Sequence, residues 1–262
     1  MLINYRSIIF NFIRKILSSL ISQNFLYHIE NLTSQLQGKG FDISITEQIN
    51  ACKKLLKNTN INFIFDVGAN RGNYTKELLK HYKYANFYLF EPSLLNYKKL
   101  SLQFAKKKNI KIINKALSNN KGTGFLHYDK SGSGLASLFK RRLDHFNKKF
   151  NMKEKVILTR LDSFCKTRNI IIDYLKIDVE GSEIKILEGI GKFISKIKLI
   201  QFEFGGCNID SRTFFQDFWY YFKRHNFDLY RITLAGPQKI NTYNESDEYF
   251  KTTNYIALNK NL

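Results

Sequence analysis

Phe65-Asp66-Val67-Gly68-Ala69-Asn70-Arg71-Gly72-Asn73-Tyr74 is the stretch of this 262-residue chain that decides its fold. It begins inside the apolar run Ile61–Val67 and opens a segment in which Tyr74, Leu78 and Tyr82 share one helix face. A strand that turns through glycines into a helix brings backbone close to a ligand, as in loops that bind nucleotide-like cofactors. The spacing is GxxxG and lacks the third glycine of the dinucleotide fingerprint, which disfavours NAD and hydride transfer.

Downstream of this stretch, short apolar runs alternate with segments of helical periodicity, which is the pattern of βαβ units and a largely parallel sheet. The runs are Phe87–Phe90, Ile110–Ile113, Tyr174–Val179 and Leu199–Phe204. Between Ser118 and Arg160, glycines separate short segments, which predicts an antiparallel β insertion. Phe227–Ile232 and Tyr255–Leu258 are predicted to form a terminal hairpin. The sequence therefore predicts an α/β domain.

The N-terminal segment, residues 2–26, has the pattern of a basic amphipathic helix. Apolar residues recur at spacings of three and four, with basic residues between them: Ile9, Phe12, Ile13, Ile16, Leu17, Leu20 and Ile21, with Arg6, Arg14 and Lys15. Polar residues interrupt it too often for a transmembrane span, and it lacks the features of a secretory signal. Two alternatives remain, a helix on the anionic inner membrane or a helix packed on the rest of the chain. We expect residues 1–50 to form this extension and residues 51–262 the main domain.

The chain carries 42 Lys plus Arg against 22 Asp plus Glu, a formal net charge of +20. Such a charge attracts nucleic acid, anionic lipid or an acidic substrate, although short clusters such as Lys140-Arg141-Arg142 are most simply solvated surface. The cysteines are odd in number and far apart, at Cys52, Cys165 and Cys207, which argues against a disulfide framework or a zinc site. We expect three buried thiols and a cytoplasmic location.

Glu91 ends the next predicted strand after the glycine loop. A carboxylate at this position can accept hydrogen bonds from both hydroxyls of a ribose. A glycine turn alone is weak evidence for a cofactor site, and the matched acidic residue makes the pattern considerably more specific.

Three further short blocks follow Phe65–Gly72, namely Phe90-Glu91-Pro92, Lys115-Ala116-Leu117-Ser118-Asn119 and Lys176-Ile177-Asp178-Val179-Glu180-Gly181. In this order and spacing, the four blocks resemble the FkbM-type S-adenosylmethionine-dependent methyltransferases over Phe63–Glu203. The resemblance implies a Rossmann-like, seven-stranded, mostly parallel sheet with an antiparallel last strand, helices on both faces and a β-rich insertion after the third strand. It also implies delivery of a methyl group to an oxygen of a sugar or similar metabolite.

The resemblance assigns individual residues to S-adenosylmethionine and to a cover over it. Asp66, Gly68, Asn70 and Gly72 would hold the methionine portion, Glu91 would hold the ribose, and Ser118 would lie beside the adenine. The segment Gly132–Leu138, with Ser133 and Ser137, resembles the serine-rich segment that the family places over its cofactor. Its small residues would permit closure and exclusion of water, so we expect contacts to the substrate here.

Asp178 is the first candidate for a general base, because it ends a strand at the edge where ligands of α/β proteins bind. His127 in the insertion is the second candidate, with an ordinary surface histidine as the alternative. Glu180 and Glu203 complete an acidic set that we expect to contact substrate and that could hold Mg²⁺, although no metal ligand is assigned. Asp178 and Glu180 could instead only stabilise a helix N-terminus that Ser182 caps.

These observations favour a cytoplasmic or inner-membrane-associated O-methyltransferase that acts on a glycan or glycolipid precursor of surface polysaccharide, a context implied by the resemblance. A nucleic-acid methyltransferase is one alternative, since the net charge suits it. The Asn-Pro-Pro-aromatic motif usual in base-methylating enzymes is replaced here by Asp178-Val179-Glu180-Gly181, so we expect no specific nucleic-acid partner. The other alternative is a catalytically inactive, membrane-peripheral binding protein, which would be expected to lose Gly68 or Glu91. The acceptor and the oligomeric state stay open.

Overall fold

The computed structural model describes residues 4–40, 43–57, 59–168 and 170–262. Within these ranges the α-helices are α1 (Asn4–Leu20), α2 (Gln23–Leu36), α3 (Ile45–Leu56), α4 (Asn73–His81), α5 (Leu94–Gln103), α6 (Leu161–Cys165), α7 (Glu183–Ile190), α8 (Gly206–Ser211) and α9 (Phe215–Arg224). The β-strands are β1 (Phe63–Val67), β2 (Asn86–Phe90), β3 (Ile110–Ile113), β4 (Ala116–Leu117), β5 (Gly122–Tyr128), β6 (Met152–Thr159), β7 (Ile172–Ile177), β8 (Ile197–Phe204), β9 (Phe227–Thr233), β10 (Gly236–Ile240) and β11 (Thr253–Asn259).

Eight strands form one sheet in the order β10-β9-β11-β8-β7-β1-β2-β3. The five strands from β8 to β3 in this order are parallel to one another, and Val67 of β1 lies opposite Phe90 of β2 and Ile177 of β7. Since parallel strands end at the same edge, the residues that follow these three strands meet there. This register brings the glycine loop, Glu91 and Asp178 to one place.

The Rossmann-like α/β fold is confirmed, including the reversed last strand β11, which is antiparallel to both β8 and β9. The sheet has eight strands rather than the expected seven, because β10 adds an antiparallel edge strand beside β9. The expected hairpin of β9 and β11 is therefore wrong in its connection, although the two strands do pair. The five residues of β10 include Pro237, which suits an edge strand and weakens the sequence signal for one.

Helices cover both faces of the large sheet. One buried cluster contains Leu187 of α7 and Phe218 of α9, and the other contains Ile49 and Cys52 of α3 together with Leu78 of α4. Residue 50, where the predicted domain boundary falls, therefore lies inside a helix of the packed core. All three cysteines are free and buried, as expected.

The β-rich insertion after β3 is confirmed as a separate three-stranded sheet in the order β4-β6-β5. β5 and β6 are antiparallel, and Leu126 of β5 is buried in a small cluster with Ala116 and Val156. An isolated bridge between His127 and Ser137 ties the segment that follows β5 back onto this strand. The insertion therefore holds the serine-rich segment against its own sheet.

The N-terminal extension consists of two helices rather than the single helix expected over residues 2–26. It breaks after α1, where the Ser22 hydroxyl accepts a hydrogen bond from the Phe25 amide and begins α2. The large apolar side chains of α1 from Ile8 onward are exposed, so this helix does not pack on the domain as one of the two alternatives required. Among the described residues, no helix has both the length and the apolar character to cross a membrane.

Candidate functional site

A cavity lies at the carboxyl edge of β1, β2 and β7, where their loops face the insertion. Its lining includes six residues that the sequence analysis had singled out: Gly68, Asn70, Glu91, Ser133, Asp178 and Glu180. The remaining lining is Val67, Phe90, Pro92, Asn96, Lys115, Ala116, Leu117, Leu126, Gly134, Ala136, Leu138, Val179 and Ser182. The cavity is thus apolar toward the insertion and acidic toward the strand ends.

The loop after β1 passes directly over the backbone of the β7 end. Gly68 has a φ of 84°, and a Cβ there would stand 1.9 Å from the carbonyl oxygen of Asp178. Its amide donates to the Phe90 carbonyl at 3.0 Å, while the amide of Asp178 donates to the Val67 carbonyl at 3.0 Å. Glycine is required here because no side chain fits between the two segments. The close approach sets the position of Asp178 relative to the loop.

Glu91 accepts hydrogen bonds from the loops on either side of it. The Asn70 amide donates to Oε2 at 2.7 Å, and the Ser93 amide donates to Oε1 at 2.9 Å. Burial nevertheless raises the pKa of Glu91 to about 7, against the lowering effect of the two amides. Each carboxylate oxygen keeps a second lone pair, so Glu91 can still accept hydroxyl groups of a ligand.

Asn96 of α5 is a polar lining residue that the sequence analysis missed. Its Nδ2 donates to Oδ1 of Asn70 at 3.0 Å, whereas its own buried Oδ1 has no hydrogen-bond partner within the described chain. Asn70 has a φ of 47°, a left-handed conformation that asparagine tolerates better than most residues. The pair leaves an unpartnered acceptor at the cavity, which a donor group of a ligand can satisfy.

Lys176 lies in β7, two residues before Asp178. Among the described residues, its ammonium group is the only cation that contacts the Asp178 carboxylate. Its Nζ lies 2.7 Å from Oδ2 of Asp178. Burial disfavours the charged amine, yet the carboxylates of Asp178 and Asp66 hold the pKa of Lys176 above its usual value. Within the described ranges, no hydrogen bond reaches Oδ1 of Asp178, which leaves that atom available at the cavity.

Glu180 connects the loop after β7 to the insertion. The Arg141 guanidinium donates to Oε2 of Glu180 and, at 3.4 Å, to Oδ2 of Asp210. The Ser137 hydroxyl donates to the Glu180 carbonyl at 2.7 Å. Burial and repulsion by Asp178 raise the pKa of Glu180 to about 8, although Arg141 opposes this. Two contacts from the insertion therefore hold the loop beside Asp178.

The sequence profile of the methyltransferase FkbM domain matches residues 66–229, which includes every strand end around this cavity. The chain belongs to the FkbM methyltransferase family. The match begins at Asp66 in β1 and ends in β9, so it contains both the parallel centre of the sheet and the insertion.

Three solved structures illustrate the similarity of this FkbM domain to known methyltransferases. Methyltransferase FkbM from Methylobacillus flagellatus KT is 14% identical with a TM-score of 0.48, over 89% of this chain and 60% of that one. M. capricolum TrmK in complex with S-adenosyl-homocysteine is 16% identical with a TM-score of 0.45, over 82% and 67%. A SAM-dependent O-methyltransferase from Thermotoga maritima is 10% identical with a TM-score of 0.43, over 83% and 66%. This chain thus spans less than two thirds of the Methylobacillus flagellatus protein, and no curated protein sequence matches significantly.

Glu183, rather than Ser182, orders the N-terminus of α7 in this FkbM domain. Its Oε1 accepts hydrogen bonds from the amides of Val179 at 3.1 Å and Gly181 at 3.2 Å. The Ser182 hydroxyl has no partner among the described residues, so the serine cap that the sequence left as an alternative is not formed. Burial raises the pKa of Glu183 to about 7, against the effect of the amides. The sequence signal was an acidic residue in the first helical turn, which Ser182 obscured.

Several residues that the sequence analysis assigned to the site do not line the cavity. Asp66 is buried behind it, where Oδ2 accepts from the Thr75 hydroxyl at 2.6 Å and burial raises the pKa. Gly72 immediately precedes α4, and its missing side chain makes room for Leu100 and Phe104. Ser118 is buried against α7 at Gly189. These three residues support the site from behind rather than facing the cavity.

His127 and Ser137 are also absent from the cavity lining. Leu126 faces the cavity, and since neighbouring strand residues point to opposite faces, His127 points away. Burial and the nearby Lys153 and Lys140 lower the pKa of His127. The structure therefore does not bring the second candidate base to Asp178, while Ser137 acts on the backbone of Glu180.

A second, more open groove adjoins the cavity, and Glu180 lines both. The groove is lined by Leu135, Arg141, Arg142, Leu143, His145, Phe146, Glu180, Glu203, Gly206, Cys207, Ile209, Asp210, Phe250, Lys251 and Thr252. Burial and repulsion by Asp178 and Glu180 hold the pKa of Glu203 well above its usual value. Arg141, expected on a solvated surface, is buried here because its guanidinium pairs with Glu180 and Asp210.

Within the described ranges, no group of three or more His, Cys, Asp or Glu side chains has an arrangement that could hold a metal ion.

Proposed function

We propose that this chain is an S-adenosylmethionine-dependent O-methyltransferase that methylates a sugar hydroxyl in a glycan or glycolipid precursor of surface polysaccharide. One observation carries the proposal. The glycine loop, Glu91 and Asp178 follow three adjacent parallel strands and line one cavity. This is the place where an open α/β sheet binds its ligand.

The polar groups of the cavity fit S-adenosylmethionine. When bound, this cofactor supplies an electrophilic methyl group on a sulfonium cation. Glu91 would accept the ribose hydroxyls, and the unpartnered Oδ1 of Asn96 and hydroxyl of Ser182 offer further hydrogen bonds. The carboxyl groups of Glu91, Asp178 and Glu180 line the cavity, and their acceptor oxygens suit a cationic ligand better than the pyrophosphate of NAD.

Asp178 would take the proton of the acceptor hydroxyl. Its Oδ2 is held by Lys176, so the carboxylate is oriented and its Oδ1 remains available at the cavity. A sugar hydroxyl is a better nucleophile as its proton leaves, and a positioned base contributes about 10² to 10⁴ in rate. Alignment of the acceptor oxygen would supply most of the remaining acceleration.

The groove beside Glu180 is the proposed acceptor site, because it adjoins the cavity on the Asp178 side. It combines carboxyl groups with Arg142 and the aromatic side chains of Phe146 and Phe250. A mixture of convergent polar groups and apolar faces is what a polyhydroxylated ligand requires.

Three buried free thiols further support a cytoplasmic location for the reaction.

Calorimetric titration of the full chain with S-adenosylmethionine and, separately, NAD tests the cofactor. We expect S-adenosylmethionine alone to bind, and Glu91→Ala to weaken binding about ten- to a hundredfold, since a hydrogen bond to a charged group is lost. Glu245→Ala removes an exposed carboxylate from a distant turn and should leave the affinity unchanged. Equal loss in both variants, or binding of neither ligand, would contradict the proposal.

Transfer of a labelled methyl group tests the acceptor. Free sugars, nucleotide sugars, lipid-linked sugars and RNA should be offered in parallel with the purified chain and S-adenosylmethionine. We expect label on a sugar hydroxyl, identified by its stability and by mass spectrometry. Label on RNA alone would replace the sugar proposal with a nucleic-acid methyltransferase, and binding without transfer to any class would favour an inactive binding protein.

A further inference from the structure

The two N-terminal helices present a large apolar surface to solvent. Thirteen of the 27 large apolar side chains that are exposed in the described chain belong to residues 8–36. They include two stripes at helical spacing, Ile9, Ile13, Ile16 and Leu20 on α1 and Phe25, Ile29, Leu32 and Leu36 on α2. An exposed apolar area of this concentration marks an interaction surface.

Helix α2 contacts the domain through its polar face, whereas a helix that packs on a core usually does so through its apolar face. Its contact with the domain is polar: Ser34 is buried, and Asn31 accepts a hydrogen bond from Nζ of Lys251 at 2.7 Å. The same ammonium lies 5.5 Å from the ring of Tyr27. Tyr27, Asn31 and Ser34 lie at helical spacing on the side opposite the apolar stripe. The structure thus turns the apolar face of α2 outward.

The charges of α1 have one sign. Arg14 and Lys15 lie on the polar side of α1, and no acidic residue precedes Glu30 in the chain. A pair of chains joined through these helices would bring two bodies of formal charge +20 together. An anionic lipid surface offers both an apolar layer for the stripes and the opposite charge for the basic side chains.

Helix α2 also lies beside the acceptor groove. Lys251, which contacts Tyr27 and Asn31 of α2, is itself a lining residue of that groove. The groove rim carries the exposed side chains of Arg142 and Phe146 as well. A surface that covers the stripes of α1 and α2 would therefore stand close to the groove opening.

We propose that α1 and α2 seat this protein on an anionic membrane surface, with the groove beside Lys251 turned toward that surface. The seating does not depend on the proposed function. If the proposed methyl transfer also holds, the orientation selects acceptors whose sugar is anchored to the membrane by a lipid.

Vesicle co-sedimentation of the full chain tests the seating. We expect binding to vesicles that contain phosphatidylglycerol in phosphatidylcholine, and much weaker binding to phosphatidylcholine alone. Ile13→Asn with Ile16→Asn should weaken binding about a hundredfold, at about tenfold for each apolar side chain lost. The matched control is Leu102→Asn with Ile171→Asn, which removes two exposed apolar side chains, on α5 and at the amino end of β7, outside residues 8–36 and should change nothing. Thermal unfolding should be unchanged in both, because all four side chains are exposed.

A second pair of variants tests the charge. Arg14→Gln with Lys15→Gln should weaken binding to the anionic vesicles about 25-fold, at about fivefold for each cation. Lys106→Gln with Lys107→Gln, which removes the same charge after α5, should have little effect. Equal binding to neutral and anionic vesicles would overturn the proposal. So would lipid-free self-association that the Ile13 and Ile16 substitutions abolish, because the occupant of the stripes would then be a second copy.

Labelled cysteine variants test the orientation, since the three native cysteines are buried. A fluorophore at Phe146→Cys on the groove rim should be quenched by brominated lipid in anionic vesicles, whereas one at Leu102→Cys should not. Similar quenching at both positions, or at neither, would overturn the orientation. None of these measurements requires S-adenosylmethionine, so failure of the seating and failure of the proposed function can be told apart.

Discussion

Nζ of Lys176 lies 2.7 Å from Oδ2 of Asp178, with the lysine side chain 7% and the aspartate side chain 38% exposed. The buried amine keeps its charge because Asp178 and Asp66 both face it and raise its pKa. A carboxylate at the cavity edge is thus anchored through one oxygen by a cation that solvent hardly reaches. The arrangement orients Asp178 and leaves its other oxygen, Oδ1, without a hydrogen-bond partner among the described residues.

Asp178→Asn should separate catalysis from cofactor binding. The amide keeps the size of the side chain but cannot accept the acceptor proton, so we expect turnover to fall by about 10² or more. Affinity for S-adenosylmethionine, measured by calorimetry, should stay near that of the parent protein. A variant with full turnover would remove Asp178 from the role of base.

Lys176→Met should destabilise the fold. It removes the buried cation that pairs with Asp178 and that also interacts electrostatically with buried Asp66, and breaking a buried pair costs about 3–5 kcal/mol in the free energy of unfolding. Lys239→Met breaks the surface pair with Asp228, which is worth about 0–1 kcal/mol. Urea unfolding of both variants measures the difference. Similar losses would show that Asp66 does not depend on Lys176.

Affinity for S-adenosylmethionine should rise with pH through the titration of Glu91. Its pKa is raised to about 7, and only the ionised form can accept both ribose hydroxyls. Protonation of Glu91 therefore lowers the fraction of protein that can bind S-adenosylmethionine, and binding at pH 6 should be about tenfold weaker than at pH 8. Calorimetry over this range measures the effect, and Glu91→Gln should bind weakly with no such dependence. A pH dependence that persists in Glu91→Gln would assign it to another group.

Glu183→Ala and Glu183→Gln should differ in stability. Alanine leaves the amides of Val179 and Gly181 without an acceptor, which costs about 1–3 kcal/mol at the buried Gly181 donor and less at the half-buried Val179 donor. Glutamine retains an acceptor oxygen and cannot ionise, so it should be tolerated. Denaturant unfolding of the two variants provides the comparison, and equal losses would show that the amides do not need this acceptor.

The same glutamine variant tests the titration of Glu183. The carboxyl ordinarily ionises at 4.5, and its pKa in the folded protein is about 7. Between these two pH values the folded protein keeps the proton on Glu183, whereas the unfolded chain loses it. This protonation stabilises the folded state fully below pH 4.5, and the stabilisation is lost as the pH rises through 7. Relative to the parent protein, Glu183→Gln should gain about 1–3 kcal/mol of unfolding free energy between pH 4.5 and pH 8. A constant difference across this range would contradict the raised pKa.

Gly68→Ala should disrupt the cofactor loop. The Cβ would stand 1.9 Å from the Asp178 carbonyl oxygen, and the φ of 84° is unfavourable for alanine. We expect a lower melting temperature and loss of S-adenosylmethionine binding, since the loop and the β7 end must separate. In Gly206→Ala the nearest atom to the Cβ is 3.7 Å away and φ is not positive, so that variant should behave as the parent.

The glycine loop and the acidic strand ends were predictable from the sequence because their signals are local. A strand, its turn and the next helix are contiguous, and parallel strands bring their carboxyl ends together whatever lies between them. Gly68, Glu91 and Asp178 could therefore be assigned to one edge before their distances were known. The edge strand β10 was missed because five residues with a proline carry little pattern.

The sequence alone could not predict which side chains contact one another across the fold. Arg141 reaches Glu180 from the insertion, and Lys251 reaches Asn31 from the far end of the chain. Neither pairing leaves a trace in local periodicity, because the side chains meet only after the sheet and the insertion have packed. His127 failed to reach the cavity for the same reason, since the face that a strand residue occupies depends on the register of its sheet.

The sequence by itself determined the family, the α/β fold and the strand ends that form the site, since these follow from contiguous patterns of apolar residues and glycines. Only the tertiary structure decided which polar groups are buried, which are paired and which remain available to a ligand. It also decided that α2 turns its polar face inward. The physical reason is that burial and pairing depend on atoms brought together from distant positions, and these set the charge of Lys176, the titration of Glu91 and the exposure of the N-terminal helices.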